Sequence, residues 1–390
     1  MEKIALLGPT HPYRGGIASH TTFLCDALRA KHEVTFFSYA SQYPKWLFPG
    51  KTDRDTSADA FTTDSVQYLL DPMKPWTWHQ TARAIYDCTV QRLVVPWWVV
   101  FWAPCYYYII RLLKFWQPKL TVTFMCHNVI EHEDHFLKRF LTKRVLSLGD
   151  SFVVQSGQDE ERLRQLIGRR AGIVRGFHPI YEEIAKKHAQ VTALTEEAQK
   201  TILFFGFIRH YKGLDILLQA FARMQDKGAK LLVVGECWKN FSGYTELAKS
   251  LGITGRVTFV NEYVPNEAVG NYFKRSAVVA LPYRSASGSG ICQMAYSYGM
   301  PVVGSAVGSI AEVVDHNHNG FLVQPESPDA LALALTEALK PSTNKRLRRG
   351  VLSSRHKYSW EALANIISNS HKERKEEKLT VLTAPSVETT

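Results

Sequence analysis

Two basic residues follow an apolar run near the middle of the chain, in a place where a strand would turn into a helix. After TILFF come Gly206, Arg209, Lys212 and Gly213. Two cations three residues apart at such a turn can both point at one diphosphate, and the start of the next helix adds partial positive charge. The spacing predicts a diphosphate site, with a solvated pair of basic residues as the alternative.

Two glycine-containing loops precede predicted helices elsewhere in the chain. The first contains Gly15 and Gly16, and the second contains Gly288, Ser289 and Gly290. The glycine pair lets the backbone approach a ligand closely, although an ordinary tight turn would use it equally well. It lacks G-x-G-x-x-G spacing, so a nicotinamide enzyme is not indicated. The second loop offers backbone amides at a helix start, which is an anion-binding arrangement.

Imidazole and carboxyl groups cluster after the apolar run LTVTFM. His127 stands at the predicted strand tip, and four further candidate metal ligands follow within eight positions: Glu131, His132, Glu133 and His135. These four lack the H-E-x-x-H spacing that places two histidines on one helical face, so a metal site is the weaker interpretation. His127 is the better functional candidate, against a solvated loop histidine.

Short apolar runs alternate with helical stretches along the chain, which is typical of an α/β fold with parallel sheets. The strand candidates form two series, IALLGP, EVTFFSY, VQYLL, LVVPW, LTVTFM, SFVVQS and GIVRGF, then TILFFGF, KLLVVGE, RVTFV, AVVALPY, PVVGS and FLVQP. Because the second series begins afresh, we expect one Rossmann-like domain over residues 1–180 and another over 200–345. Helices over 346–372 would cross back to the first domain, and 373–390 would form a disordered tail.

The 390-residue chain is basic, with a formal net charge of +11, and no half of it forms a polybasic arm. A diffuse positive field suits phosphorylated ligands, nucleic acid or an anionic membrane face without choosing among them. None of the six cysteines stands in a C-x-x-C pair, which fits a reducing cytoplasm and excludes zinc ribbons. The N-terminal MEKIALLGPTHP predicts a first strand instead of a signal peptide.

The segment from Arg92 to Trp116 is uncharged over 18 residues, and this length approaches a membrane span. Pro96 and Pro104 interrupt it, and tryptophan and tyrosine dominate where leucine and isoleucine would be expected. We therefore favour a buried strand followed by a core helix over a spanning helix. The remaining alternative is that this segment forms a surface that rests in the lipid headgroup layer, because aromatic residues favour that interface.

The order of these motifs resembles the retaining glycosyltransferases of family 4, which have the GT-B fold. The motifs are, in order, the double-glycine loop, HN at a strand tip, G-x-x-R-x-x-K-G, the small-residue loop, GMPVVGSAVGSIAEVV and NGFLVQP. The resemblance covers nearly the whole chain. CHNVIEHE and PWW-x-x-FWAP are similar to a bacterial subgroup acting on surface polysaccharides or lipid-linked sugars. The resemblance implies two Rossmann-like domains whose parallel sheets face a central cleft.

The resemblance also implies roles for particular residues. Gly15 and Gly16 would approach the acceptor side and the donor phosphates, and His127 would contact the transferred sugar near its anomeric centre. Arg209 and Lys212 would bind the diphosphate and stabilise its charge as it leaves. The resemblance implies that five further residues in loops of the second domain bind the donor. They are Gly206, Gly213, Gly288, Ser289 and Gly290.

One departure from the family pattern concerns two glutamates that usually stand eight residues apart in the second domain. Ser285 and Gln293 occupy these positions here. Gln293 could still accept one hydrogen bond from a ribose hydroxyl, whereas Ser285 is too short to reach the sugar as a glutamate would. The departure affects the expected donor specificity and the contact that orients the sugar.

The resemblance implies transfer of a hexose-type sugar from a UDP- or GDP-sugar to a glycan or lipid-linked acceptor, with retention. No metal, cofactor or nucleic acid is expected to bind. We expect the protein to be located in the cytoplasm, with an anionic membrane face as a further partner. Asp53 and Asp55 have the D-x-D spacing of metal-dependent glycosyltransferases, but they lie in a polar stretch that predicts a solvated loop. The alternatives are a GT-B nucleotide-sugar epimerase or hydrolase and a non-catalytic nucleotide-sugar binder.

Overall fold

The computed structural model of the chain describes residues 1–44, 52–130, 136–168, 172–181 and 195–370. The predicted tail over 373–390 and the four candidate metal ligands between 131 and 135 lie outside these residues.

Seven parallel strands form the first sheet, in the spatial order β3-β2-β1-β4-β5-β6-β7. Its strands are β1 Lys3–Leu7, β2 Glu33–Tyr39, β3 Val66–Leu70, β4 Arg92–Trp97, β5 Thr121–Cys126, β6 Ser151–Val154 and β7 Gly172–Arg175. The central strands are buried almost throughout, as expected when helices cover both faces of a parallel sheet.

Six parallel strands form the second sheet, in the order β10-β9-β8-β11-β12-β13. Its strands are β8 Thr201–Phe205, β9 Lys230–Val234, β10 Val257–Val260, β11 Val278–Leu281, β12 Val302–Ser305 and β13 Gly320–Val323. In both sheets the chain order reverses beside the first strand of the series, which opens a crevice at the carboxyl ends of the strands.

Helices connect the strands in both domains. In the first domain they are α1 Gly16–Arg29, α2 Pro75–Asp87, α3 Ala103–Trp116, α4 Phe136–Leu146 and α5 Gly157–Ile167. The later helices are α6 Glu196–Gln199, α7 Leu214–Arg223, α8 Phe241–Ser250, α9 Asn266–Lys274, α10 Gly290–Ser297, α11 Gly308–Val313, α12 Pro328–Leu339 and α13 Pro341–Ser354. The two parallel-sheet α/β domains confirm the predicted fold class.

The aromatic segment from Arg92 to Trp116 folds as the buried strand β4, a short 3₁₀ turn and helix α3. Trp97, Trp102 and Tyr106 are among the largest fully buried side chains of the protein. In the described part of the chain, no helix has the length and apolar character needed to cross a membrane.

The last described helix, over residues 360–370, returns to the first domain. Its Leu363 and Ile367 are fully buried in one cluster with Ile4 and Met125 of the first sheet. The guanidinium group of Arg92, at the start of β4, donates a 2.6 Å hydrogen bond to the carbonyl oxygen of Ile367. The end of the chain therefore ties the first sheet to the segment that leaves the second domain.

Candidate active site

A cavity of about 270 Å³ lies between the two domains, at the carboxyl ends of the strands. The second domain supplies most of its wall, from the ends of β8, β9 and β11 and from the start of α10. Residues of its wall that bear on the argument are Gly15, Gly16, Phe61, Gly206, Lys212, Glu236, Tyr263, Tyr283, Gly288, Ser289, Gly290 and Met294. The structure thus brings seven of the twelve predicted site residues to one cavity.

Lys212 ends a 3₁₀ turn after β8 and reaches the cavity with only 7% of its side chain exposed. Its ammonium group lies beside Gly206 and 5.7 Å from the centre of the Tyr283 ring. Burial, and then the nearby charge of Arg209, lower the pKa of Lys212 to about 8. Within the described residues, no carboxylate forms an ion pair with this ammonium group, so a buried cation faces the cavity uncompensated.

Gly213 fixes the turn that aims Lys212. Its φ of 68° lies in the left-handed region, and a Cβ at this position would come within 2.0 Å of the carbonyl oxygen of Pro282. Because both constraints favour glycine, helix α7 can begin directly after the 3₁₀ turn and close against β11. Gly213 therefore supports the cavity without lining it.

Arg209 lies next to the cavity, outside its wall. Its guanidinium carbon is 3.8 Å from the centre of the Trp238 ring, which is a stacked cation–π contact. Burial lowers the pKa of Arg209 from its ordinary value. The spacing in the sequence predicted that both cations contact one ligand. In this structure Lys212 lies in the cavity wall and Arg209 does not.

The loop Gly288–Gly290 forms another part of the wall and leads into helix α10. The hydroxyl of Ser289 accepts a 3.2 Å hydrogen bond from the amide of Cys292, and so it caps the helix. The first amides of a helix have no intrahelical acceptor, so this helix start presents donors and partial positive charge to the cavity. Lys212 and the helix start therefore face the same space.

Gln293 and Ser285 do not reach this cavity, contrary to the expectation for donor-binding residues. Gln293 is 1% exposed and faces a second cavity of about 200 Å³ that is also lined by Gln155 and His178. Consecutive helix residues point about 100° apart, and Met294 is the one that faces the first cavity. Ser285 lies in the wall of neither cavity. The structure therefore does not bring Gln293 to the wall of the first cavity, and its contact with a ribose stays a prediction.

His127 lies at the tip of β5, as predicted, but it is buried with two histidines that the sequence did not single out. Its ring centre is 4.5 Å from that of His20, and the ring of His20 is 5.2 Å from that of His178. Burial lowers the pKa of His127 to about 3 and that of His178 to about 4. The pKa of His20 also lies well below its ordinary value because of burial. All three imidazoles are therefore neutral at pH 7.

An ion pair joins the domains at the mouth of the cavity. Arg14 donates from Nη2 to Oε2 of Glu236 over 2.8 Å, and both side chains are largely buried. The guanidinium carbon of Arg14 also lies 4.7 Å from the centre of the Tyr263 ring. Arg14 and Glu236 are 222 positions apart in the sequence, and no local pattern relates them.

Residues 52–61, called the bridging loop below, reach from the first domain to the second. The carboxylate of Asp55 accepts a 3.3 Å hydrogen bond from the hydroxyl of Tyr263, and the hydroxyl of Ser57 accepts one from the amide of Asn266. Phe61, at the end of the loop, lines the cavity. The D-x-D segment is thus an interdomain connection, which corrects the expectation of a solvated loop.

Potential metal ligands do not converge in the described residues, where no group of three or more histidine, cysteine, aspartate and glutamate side chains could hold an ion.

Comparison with known proteins finds a family model that matches much of the second half of the chain. Residues 186–351 match the family model described as glycosyl transferases group 1. This segment is similar to the group 1 glycosyltransferases. The part of the cavity wall that the second domain contributes, from Gly206 to Met294, lies within the matched residues.

A D-inositol 3-phosphate glycosyltransferase of Corynebacterium urealyticum is 27% identical to the chain over 255 residues, which are 60% of this chain and 59% of the relative. The chain spans about half of the length of the curated relatives that it matches.

Two solved structures are similar over almost the whole chain. The apo lipopolysaccharide outer core galactosyltransferase WaaB has a TM-score of 0.71 at 14% identity, and 95% of this chain and 99% of that one are covered. HepE of Anabaena in complex with UDP has a TM-score of 0.69 at 14% identity, covering 97% and 100%. At such low identity the likeness concerns the fold, which is GT-B, and the segment that matches the group 1 model lies in its second half.

The buried pair Arg14–Glu236 yields a test by double-mutant cycle. We expect Arg14→Met and Glu236→Gln each to destabilise the protein by about 3–5 kcal/mol, because each leaves one charge buried without its partner. The double variant should lose less than the sum of the two single losses. Urea unfolding followed by tryptophan fluorescence measures the three differences.

The exposed pair Lys31–Glu361 provides the matched control, since its atoms approach to 2.9 Å at the surface. Lys31→Met and Glu361→Gln should each change the free energy of unfolding by less than about 1 kcal/mol. Additive losses for Arg14 and Glu236 would contradict the assignment of a coupled interdomain pair.

Proposed function

We propose that the chain is a glycosyltransferase that moves a hexose-type sugar from a UDP- or GDP-sugar to a glycan or lipid-linked acceptor. The observation that carries the proposal is the buried, uncompensated ammonium group of Lys212, which lines an interdomain cavity together with the start of helix α10. A cation and a helix start that line one space are suited to a diphosphate.

The rest of the cavity suits a nucleoside. Phe61, Tyr263 and Phe207 contribute aromatic surface, and the cavity wall is more apolar than polar. Planar bases bind such surfaces by stacking, while a few polar groups fix their orientation. HepE, which shares the fold, was solved in complex with UDP, and this supports a nucleotide as the ligand.

We propose retention without a metal or a protein base, as the family resemblance implies. A histidine with a pKa of about 3, as His127 has, is a weak base at neutral pH. Two carboxylates line the cavity, of which Glu236 is engaged by Arg14 and Glu262 is exposed. We propose that the leaving phosphate oxygen accepts the proton of the acceptor hydroxyl, and that Lys212 stabilises the charge on the diphosphate.

The acceptor class is inferred from similarity and from one surface. The motifs CHNVIEHE and PWW-x-x-FWAP resemble enzymes of surface polysaccharides, and WaaB acts on a lipopolysaccharide outer core. Helix α4 exposes Phe136, Leu137 and Phe140 beside the cations Arg139 and Lys143. Apolar rings beside cations suit the headgroup layer of an anionic membrane, so we place the enzyme on the cytoplasmic membrane face.

Release of UDP or GDP from candidate UDP- and GDP-sugars, with and without bacterial lipid-linked acceptors, tests the function. We expect release that depends on the acceptor. Conversion of the sugar without acceptor would support a nucleotide-sugar epimerase or hydrolase, and binding without turnover would support a non-catalytic binder. Either result would contradict the transferase. Lys212→Met should lower acceptor-dependent release by at least about 10²-fold, because a donor of charge stabilisation is lost.

The lowered pKa of Lys212 predicts a pH dependence of nucleotide binding. Lys212 is charged below pH 8 and loses its proton above it, so calorimetric titration with UDP or GDP should show affinity falling as pH rises from 8. The fall should approach tenfold per pH unit until the pKa of the complex is reached.

Lys212→Arg is the matched control, because a guanidinium group stays charged over this range and should remove the fall. The assignment of Lys212 to the diphosphate fails if Lys212→Met binds the nucleotide as tightly as the parent protein.

The membrane surface is testable by flotation with phosphatidylglycerol-containing vesicles and with pure phosphatidylcholine vesicles. We expect binding to the anionic vesicles alone, and Phe136→Ser combined with Phe140→Ser should abolish it. Phe115→Ser, which alters an exposed ring at the end of α3, is the control and should leave binding unchanged. Equal flotation of all variants would remove helix α4 from the proposal.

A further inference from the structure

Gln155 follows strand β6 and is the side chain through which His127 contacts the second domain. Its amide nitrogen Nε2 lies 3.3 Å from Nδ1 of His127, and its side chain is 3% exposed. Its amide oxygen lies against Gly288, where a Cβ would come within 2.0 Å of that oxygen. Glycine at position 288 is therefore the residue that allows Gln155 to reach the loop before helix α10.

The contact determines where the imidazole of His127 carries its proton. A neutral imidazole has one N–H donor and one acceptor nitrogen. Because the amide nitrogen of Gln155 is a donor, Nδ1 of His127 must accept, and the proton stays on Nε2. In this orientation the amide oxygen of Gln155 lies against Gly288.

The Nε2 atom of His127 is buried, and within the described residues it has no hydrogen-bond partner. Its ring neighbour is His20, in an edge-to-face contact at 4.5 Å. Buried donors in folded proteins are nearly always paired, so a donor that is unpaired in the ligand-free protein indicates a group that arrives with a ligand. A sugar hydroxyl is such a group.

We propose that Gln155 is a positioning residue that holds His127 as the Nε2–H tautomer, so that Nε2–H can donate to a hydroxyl of the transferred sugar. The second part rests on the proposed glycosyltransferase function, whereas the first part concerns the ligand-free protein. The nucleotide cavity is lined by neither Gln155 nor His127, whereas Gln155 lines the second cavity of about 200 Å³. In the proposal, Gln155 acts on transfer through the position of His127.

The tautomer can be measured directly in protein labelled with ¹⁵N-histidine, by long-range ¹H–¹⁵N correlation, with the His127 signal assigned from its loss in His127→Asn. We expect the Nε2–H pattern in the parent protein. Gln155→Met keeps the side-chain length but removes the donor, and should give mixed tautomers. Gln155→Glu replaces the donor with an acceptor and should move the proton to Nδ1. Gln165→Met on the surface of α5 is the control and should leave the pattern unchanged.

Turnover supplies the second readout. Gln155→Met should lower kcat for sugar transfer by about tenfold or more, as the loss of an orienting partner does elsewhere, while the Kd for UDP or GDP stays unchanged. A purely structural role would instead alter nucleotide binding or lower the melting temperature together with kcat.

An Nδ1–H pattern in the parent protein, or an Nε2–H pattern that persists in Gln155→Met, would overturn the role of Gln155 whether or not the protein transfers sugar. The expected tautomer shift with unchanged kcat would overturn its role in transfer. If the parent protein shows the Nε2–H pattern but no transfer with any donor, the proposed function fails and the tautomer assignment stands.

Discussion

The site is organised around one electrostatic constraint, the burial of the Lys212 ammonium group without an ion-pair partner in the described structure. Removing a charge from water is costly, and here the cost appears as a pKa of about 8. The left-handed turn at Gly213, packed against Pro282, follows Lys212 directly in the chain. In the proposed function, a diphosphate that enters the cavity recovers the free energy that burial of the ammonium group costs.

Charge is distributed unevenly along the cleft. Lys212 and the start of helix α10 bring positive charge to the cavity, whereas the imidazoles of His20, His127 and His178 are neutral because they are buried together. The ring of His178 lies beside Gly290, at the start of helix α10. A proton on any of these imidazoles would face two further rings at close range and no counterion within the cluster. In the proposed function, the neutral imidazoles are suited to hydroxyl groups of the sugar, and Lys212 and the helix start are suited to phosphates.

The sequence predicted the fold in detail, because each strand of a doubly covered parallel sheet is a continuous apolar run. All thirteen strands lie where apolar runs predicted them, and the two series correspond to the two sheets. The site was predictable where it depends on the end of a strand, as for Gly206, Lys212 and His127. It was not predictable where it depends on helix phase, which turns Gln293 away from the cavity and Met294 towards it.

Contacts between distant segments account for the remaining differences, and they bear on how the cleft works. Arg14, Asp55 and Phe61 belong to the first domain, yet they contact or cover the part of the cavity that the second domain builds. A nucleotide bound between Phe61 and the second domain would be enclosed by these residues, so it must enter when they have moved apart. In the proposed function, such opening would break the hydrogen bonds of the bridging loop and the pair Arg14–Glu236, and closure would form them again. The free energy of nucleotide binding would then include the free energy of closing the two domains, and substitutions far from the ligand would change affinity through closure alone.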